Sequence, residues 1–158
     1  MAVMDQAQEP GSGWLEGRIH LFPVRVYYED TDFSGVVYHA NYLRFMERGR
    51  SEFLRMVGAG HTGMLASTEP LVWAVRRMDV DFLKPARMED ALLIRTEVLE
   101  LAGARMRLDQ AVLRGGLALV RARIEVCIIT FDGRPRRVPG SMRKTLEIFL
   151  ENQTTSPS

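Results

Sequence analysis

Residues 22–28 alternate: Val24, Val26 and Tyr28 fall on one parity and Arg25 and Tyr27 on the other, the period of two that predicts a half-buried strand. A polar turn from Glu29 to Gly35 follows. From Asn41 the period lengthens. Tyr42, Phe45, Met46, Gly49, Phe53, Met56 and Val57 recur at helical spacing, with Arg44, Glu47, Arg48, Ser51, Glu52 and Arg55 between them. This predicts one helix of about five turns that stops at Gly58. Residues 58–70 contain Gly58, Gly60 and Gly63 and read as a loop with a short helical turn. Beyond it the pattern is strand upon strand. Leu71, Trp73 and Val75 share one parity and Met78, Val80 and Phe82 the other, so a bulge near Arg76 and Arg77 keeps one face buried. Segments 91–101, 105–113 and 117–131 come next, punctuated by Ala102-Gly103, Gly115-Gly116 and Asp132-Gly133. Turns this short imply antiparallel neighbours. Met142, Leu146 and Phe149 predict a short closing helix over 141–149, after the Pro139-Gly140 break. One long helix laid on a curved antiparallel sheet of about five strands is an α+β architecture.

Composition narrows the picture. At 158 residues, with 46% of them hydrophobic, the chain suits one domain with a real core, expected over 18–150. Residues 1–17 and 151–158 are polar and without period, and are expected to be loose tails. A net charge of +1 lacks the one-signed field of a nucleic-acid binder, and no stretch interleaves basic with aromatic residues, so no nucleic-acid partner is expected. No run approaches the ~20 apolar residues of a membrane span, and MAVMDQAQEPGSGWLEG has neither a basic start nor an apolar leader. A cytoplasmic location is the expectation. Cys127 is the single cysteine and lies in the apolar run RIEVCIIT, where it reads as a small buried hydrophobe.

Functional residue types are densest between the first strand and the helix, in YYEDTDFSGVVYHAN, Tyr27 to Asn41. Asp and Ser there can serve as caps and turn groups, but capping alone does not account for three carboxylates and a histidine together. Asp30, Asp32, Ser34 and Gly35 match positions 1, 3, 5 and 6 of a helix-loop-helix calcium site; position 12, however, is Asn41, and the preceding segment is strand-patterned. Zinc is disfavoured because His20, His39 and His61 are scattered and Cys127 stands alone. The preferred chemistry is hydrolysis of an activated acyl group. Gly35 permits a sharp turn, the amides of Tyr38 and His39 are free donors at a helix start, and a nearby carboxylate, Asp32, attacks or deprotonates water.

The run VRVYYEDTDFSGVVYHANYLRFMERGR, Val24 to Arg50, resembles the hotdog-fold acyl-CoA thioesterases, in the branch of 4-hydroxybenzoyl-CoA thioesterase and the tol-pal system-associated acyl-CoA thioesterase. VRRMDVDFLKPARMEDALLIRTEV, Val75 to Val98, is similar to the family's next two strands, so the likeness covers about 21–148. The resemblance implies a hotdog fold, hydrolysis of an acyl-CoA to a free acid and CoA, and no metal or redox cofactor. It implies homodimers or homotetramers with sites at subunit interfaces. The family's catalytic carboxylate falls on Asp32, as nucleophile or general base, and its carbonyl-polarising amide on the N–H of His39, with Tyr38 beside it. Gly35, Val36, Val37 and Asn41 are expected around the bound substrate. Another hotdog branch uses a helix glutamate, which draws attention to Glu47, but Arg44, Arg48 and Arg50 beside it favour a solvated ion pair.

Arg134, Arg136, Arg137, Arg143 and Lys144 crowd the C-terminal segment and read either as a solubilising edge or as a site for CoA phosphates or an acidic acyl carrier protein. Arg76, Arg77 and Lys84 are further candidates for the same duty. The alternative from another class is a non-catalytic acyl-CoA or acyl-carrier-protein binding module using the same groove. A hydratase on the same fold is disfavoured by the motif.

Overall fold

The computed structural model describes residues 10–66 and 68–150; of the tails expected at 1–17 and 151–158, residues 1–9 and 151–158 lie outside the described residues. Six strands form one antiparallel sheet: β1 (Trp14–Glu16), β2 (Ile19–Arg25), β3 (Leu71–Phe82), β4 (Ala91–Ala102), β5 (Arg105–Arg114) and β6 (Leu117–Thr130), in the order β1-β2-β4-β5-β6-β3. The helices are α1 (His39–Met56), α2 (His61–Leu65) and α3 (Gly140–Glu147). α1 packs across β2, β4 and β5, so the helix lies in the curve of the sheet as a hotdog fold requires.

The core follows from the two periods. α1 buries Tyr42, Phe45, Met46, Gly49, Arg50, Phe53 and Leu54, while β4 buries Leu92, Ile94, Thr96 and Val98, every second residue. Removing Phe45 and Phe53 from water contributes roughly 2–3 kcal/mol each. Helix and sheet approach closely at Gly49, where a Cβ would stand 2.6 Å from Ile94 Cγ2. The expected bulge in β3 falls between Val75 and Arg77, and it lets both parities of that strand serve one face.

Three sequence expectations are corrected. The first long strand is Ile19–Arg25 and not 22–28, because Asp30 Oδ2 accepts the Tyr27 N–H at 2.8 Å and winds Tyr28–Asp30 into a 3-10 turn. A sixth strand, β1, forms inside the stretch expected to be a tail, pairing Trp14 with Leu21 and Glu16 with Ile19. Arg50 does not join Glu47 at the surface. It is buried, and its Nη1 donates to Gln110 Oε1 at 3.0 Å.

That arginine meets a polar row running across the inner face of the sheet, His20 on β2, Thr96 on β4 and Gln110 on β5, which lie opposite one another in register. Gln110 Nε2 donates to Thr96 Oγ1 at 2.9 Å and to the Met46 carbonyl at 3.0 Å, tying the sheet to the backbone of α1. His20 Nε2 donates to the Ser12 carbonyl at 2.7 Å. Burial pulls the His20 pKa below its ordinary value against the opposing pull of that carbonyl and of Glu52. Hydrogen bonding is what makes such burial of polar groups tolerable.

Candidate active site

The site begins as a closed turn. Thr31 pairs with Val37, the Asp32 N–H donates to the Val36 carbonyl at 2.8 Å, and the Gly35 N–H donates back to the Asp32 carbonyl at 3.1 Å. Gly35 has φ +83°, in the left-handed region that glycine enters without strain. Asp32 stands at the tip of this turn and is exposed. Its Oδ1 accepts the Ser34 hydroxyl at 2.6 Å and the Ser34 N–H at 2.8 Å, and its Oδ2 has no hydrogen-bond partner among the described residues. The Ser34 hydroxyl, and after it the Ser34 amide, hold the carboxyl below its ordinary pKa. At neutral pH the turn therefore presents an ionised carboxylate with one oxygen free.

The start of α1 is clamped to the same turn. The Asp30 carbonyl accepts the Tyr38 N–H at 3.0 Å and Asn41 Nδ2 at 2.9 Å. This corrects one expectation: the Tyr38 amide is not a free donor. The His39 N–H is, since it has no partner among the described residues, and it opens a helix of 18 residues whose dipole is positive there. Asn41 thus acts as a brace within the protein. The segment after β3 backs the turn. Val37 N–H donates to the Ala86 carbonyl at 2.9 Å, the Ala86 N–H donates to the Tyr42 hydroxyl at 2.8 Å, and Val36 pairs with Arg87. The His39 ring lies 4.5 Å from that of Tyr38 and 6.0 Å, edge to face, from Phe82.

Asp32, Gly35, Val36, Val37, Tyr38, His39 and Asn41 are thus brought together, and Lys84 follows Phe82 at the same end. The other basic candidates are not. Arg76 and Arg77 sit in mid-strand on β3, beside Glu125 and Asp79 respectively. Arg134, Arg136 and Arg137 follow β6 where Thr130 pairs with Leu71, the far end of β3, roughly 35 Å of extended strand from Phe82. Arg134 is paired with Asp132 at 2.9 Å and Arg136 with Glu69 at 2.8 Å. Glu47 is exposed and forms no ion pair within 4 Å among the described residues. Ser34 stood in the candidate cluster without a role at the carboxylate, and Phe82, Ala86 and Arg87 were not legible as neighbours of the site. Ser34 carried a signal, the Asp-x-Ser spacing of a side chain that bonds the backbone two residues on. The others lie some fifty residues further along the chain, and only the fold brings them near.

What this arrangement can do is attack or deprotonate at one point and stabilise negative charge at the next. The model of the thioesterase superfamily matches residues 34–120, beginning two residues after Asp32. The chain belongs to the thioesterase superfamily. It is 42% identical over 108 residues, 68% of this chain and 79% of the relative, to the acyl-CoA thioesterase YbgC of Haemophilus influenzae. It is 27% identical over 142 residues, 89% of this chain and 73% of the relative, to a chloroplastic acyl-acyl carrier protein thioesterase, ATL3, of Arabidopsis thaliana. The crystal structure of a probable thioesterase from Bartonella henselae superposes with a TM-score of 0.75 at 47% identity, covering 77% of this chain and 99% of that one. As a member of this superfamily the protein is a thioester hydrolase with the hotdog fold. Among the described residues no helix is long and apolar enough to cross a membrane.

Proposed function

We propose that this thioesterase hydrolyses acyl-CoA, with Asp32 as the reacting carboxylate and the His39 N–H as the oxyanion donor. One observation carries the reading: an ionised carboxylate with a free oxygen, in the turn closed by the Asp32–Val36 bond, and a helix-start amide without a partner among the described residues belong to one segment, whose helix start is clamped by the Asp30 carbonyl. As general base, Asp32 takes a proton from water while the resulting hydroxide adds to the thioester carbonyl. As nucleophile, it adds to the carbonyl itself and forms a mixed anhydride that water then opens. On either route the carbonyl oxygen gains negative charge facing the His39 N–H, and the C–S bond breaks as CoA leaves and takes up a proton.

The acyl-CoA substrate is the one named for the Haemophilus influenzae relative, and a cytoplasmic pool is the natural source of it. The Arabidopsis relative keeps an acyl carrier protein as the second candidate donor of the acyl group. A homodimer or homotetramer completes the site, since Asp32 is exposed and Tyr28, Phe33 and Phe82 around it are uncovered apolar rings.

The test is free-thiol release from short, long and aromatic acyl-CoAs by the wild type and by Asp32→Asn. Turnover should fall by about three orders of magnitude or more in the variant, while acyl-CoA still binds. An unchanged rate would remove Asp32 from the mechanism. No turnover on any substrate, with binding intact, would favour a binding module.

A further inference from the structure

We propose that Tyr42 and Arg114 are positioning residues of the active site, which hold the backbone of Ala86 as a support spanning the His39 amide; this rests on the reading above that the His39 N–H faces the oxyanion. Ala86 grips the chain on both sides of that amide. Its carbonyl accepts the Val37 N–H at 2.9 Å, two residues before His39, and its own N–H donates to the Tyr42 hydroxyl at 2.8 Å, three residues after. Residues three apart on a helix share a face, so Tyr42 stands one turn along α1 from His39. Tyr42 is 3% exposed and Ala86 wholly buried, so an Ala86 N–H that lost the hydroxyl would find no water in its place. Burial pushes the Tyr42 phenol above its ordinary pKa, which keeps it a neutral hydroxyl at working pH. The neighbour of Ala86 reaches the other reacting group. Arg87 pairs with Val36, whose carbonyl accepts the Asp32 N–H at 2.8 Å.

What holds Ala86 in turn is a span anchored at both ends. The Leu83 and Lys84 N–H groups donate to the Leu119 carbonyl at 2.8 and 3.1 Å. At the far end the Val26 N–H donates to the Asp90 carbonyl at 2.9 Å, and the Glu89 N–H to the Val26 carbonyl at 2.8 Å. Between those anchors the support comes from Arg114, the last residue of β5. Its Nη1 donates to the Pro85 carbonyl at 3.3 Å and to Asp90 Oδ2 at 2.8 Å, and the same Asp90 oxygen accepts the Arg87 N–H at 2.9 Å. The Arg87 amide, and with it the Arg114 guanidinium, holds the Asp90 carboxyl below its ordinary pKa, so the pair keeps both charges at neutral pH. Pro85 and Arg87 flank Ala86, so one guanidinium steadies both neighbours of the supporting residue. Neither the Tyr42 nor the Arg114 side chain bonds to Asp32 or His39, and both act on the reaction only through the span. The stake is alignment: a shift of about 1 Å between reacting groups can cost on the order of a hundredfold in rate.

The experiment measures acyl-CoA kinetics and amide hydrogen exchange by NMR on the wild type, Tyr42→Phe, Arg114→Ala and Arg114→Lys. In Tyr42→Phe and Arg114→Ala, kcat should fall about tenfold or more while KM changes by less than about twofold. The Val37 amide, which bonds to Ala86, should exchange about tenfold faster or more, with the Ile94 and Leu108 amides of β4 and β5 as protected as before. Arg114→Lys keeps a charge beside Asp90 and should recover part of both losses. An unchanged kcat would overturn the proposal, and so would a lower kcat with Val37 still protected. A rise in KM with kcat kept would overturn it too, by making these side chains substrate contacts. Protection lost evenly through the sheet would reduce the effect to general destabilisation and overturn it as well. If the wild type turns over no acyl-CoA, the thioesterase reading fails by itself, and exchange then decides the support separately. Faster exchange confined to Val37 and its neighbours keeps it, and unchanged exchange overturns it.

Discussion

At the scale of single residues the site depends on how one carboxylate keeps its charge while exposed. Asp32 has no buried environment to tune it, so the Ser34 hydroxyl is its principal control, with the Ser34 amide second. Removing the hydroxyl leaves the amide in place and takes away the larger of the two Ser34 hydrogen bonds that favour the charged form. The Asp32 pKa should therefore rise toward its ordinary value in Ser34→Ala. Since the proposed reaction uses the carboxylate, the acid limb of kcat/KM should move to higher pH in the variant, while the plateau at neutral pH keeps most of its height. A pH–rate profile of the two proteins checks this, and coincident acid limbs would show that Ser34 does not govern the reacting group. Asp32 and His39 stand out as candidates in the sequence because a turn dense in carboxylates runs into a helix start. Which amide stays free was not legible there. Tyr38 and His39 look alike in the sequence, and only the fold shows the Asp30 carbonyl taking the Tyr38 N–H and leaving that of His39.

Among the elements, the contact between α1 and β4 sets where the helix start sits, and Gly49 makes that contact possible. Alanine there gains helix propensity worth about 1 kcal/mol. It also drives a Cβ to 2.6 Å from Ile94 Cγ2 and 3.2 Å from Ile94 Cβ, on a buried strand that cannot swing aside. Overpacking of this kind costs about 1–3 kcal/mol, so Gly49→Ala should be destabilised on balance, with a lower urea midpoint. Ile94→Ala opens the space, and the double variant should lose less than the two single losses added. Additive losses would mean that the helix slides instead. Periodicity revealed this pairing of helix and sheet, the bulge at Arg76 and the hairpin turns, because apolar positions dominate there. It failed where local polar bonds decide. Tyr28 keeps strand parity but is exposed in a 3-10 turn wound by Asp30, and β1, three residues long, is too short for any period to register. Arg50 reads as a surface residue from its charge, yet it is buried, and its partner Gln110 lies sixty residues away.

For the molecule as a whole, the open question of chemistry is how water and dielectric are controlled around an exposed Asp32. A helix-start amide stabilises an oxyanion strongly only where bulk solvent is kept back, and among the described residues nothing covers Asp32, Phe33 or Ser34 from outside. Phe33 and Tyr28 project from it almost wholly exposed, and Phe82, at half exposure, ends a strand that forms the edge of the sheet. The twelve residues of β3 pair with β6 on one side only, among the described residues, and its charges Arg77, Asp79 and Asp81 lie opposite Glu125, Arg123 and Arg121 of β6. A long open edge beside uncovered aromatic rings is a surface that soluble proteins normally cover. A second copy of the chain would cover both at once, so the proposed oligomer and the proposed mechanism share a prediction. Light scattering should give a multiple of the 18.0 kDa chain, and specific activity should fall on dilution through the dissociation constant of that assembly and recover on concentration. Phe82→Asp, which puts a charge among those rings, should shift the midpoint of the dilution curve to higher protein concentration. Full specific activity from an 18.0 kDa species at every dilution would separate the two ideas: the turn would then be a complete site, and the exposed rings would belong to substrate alone.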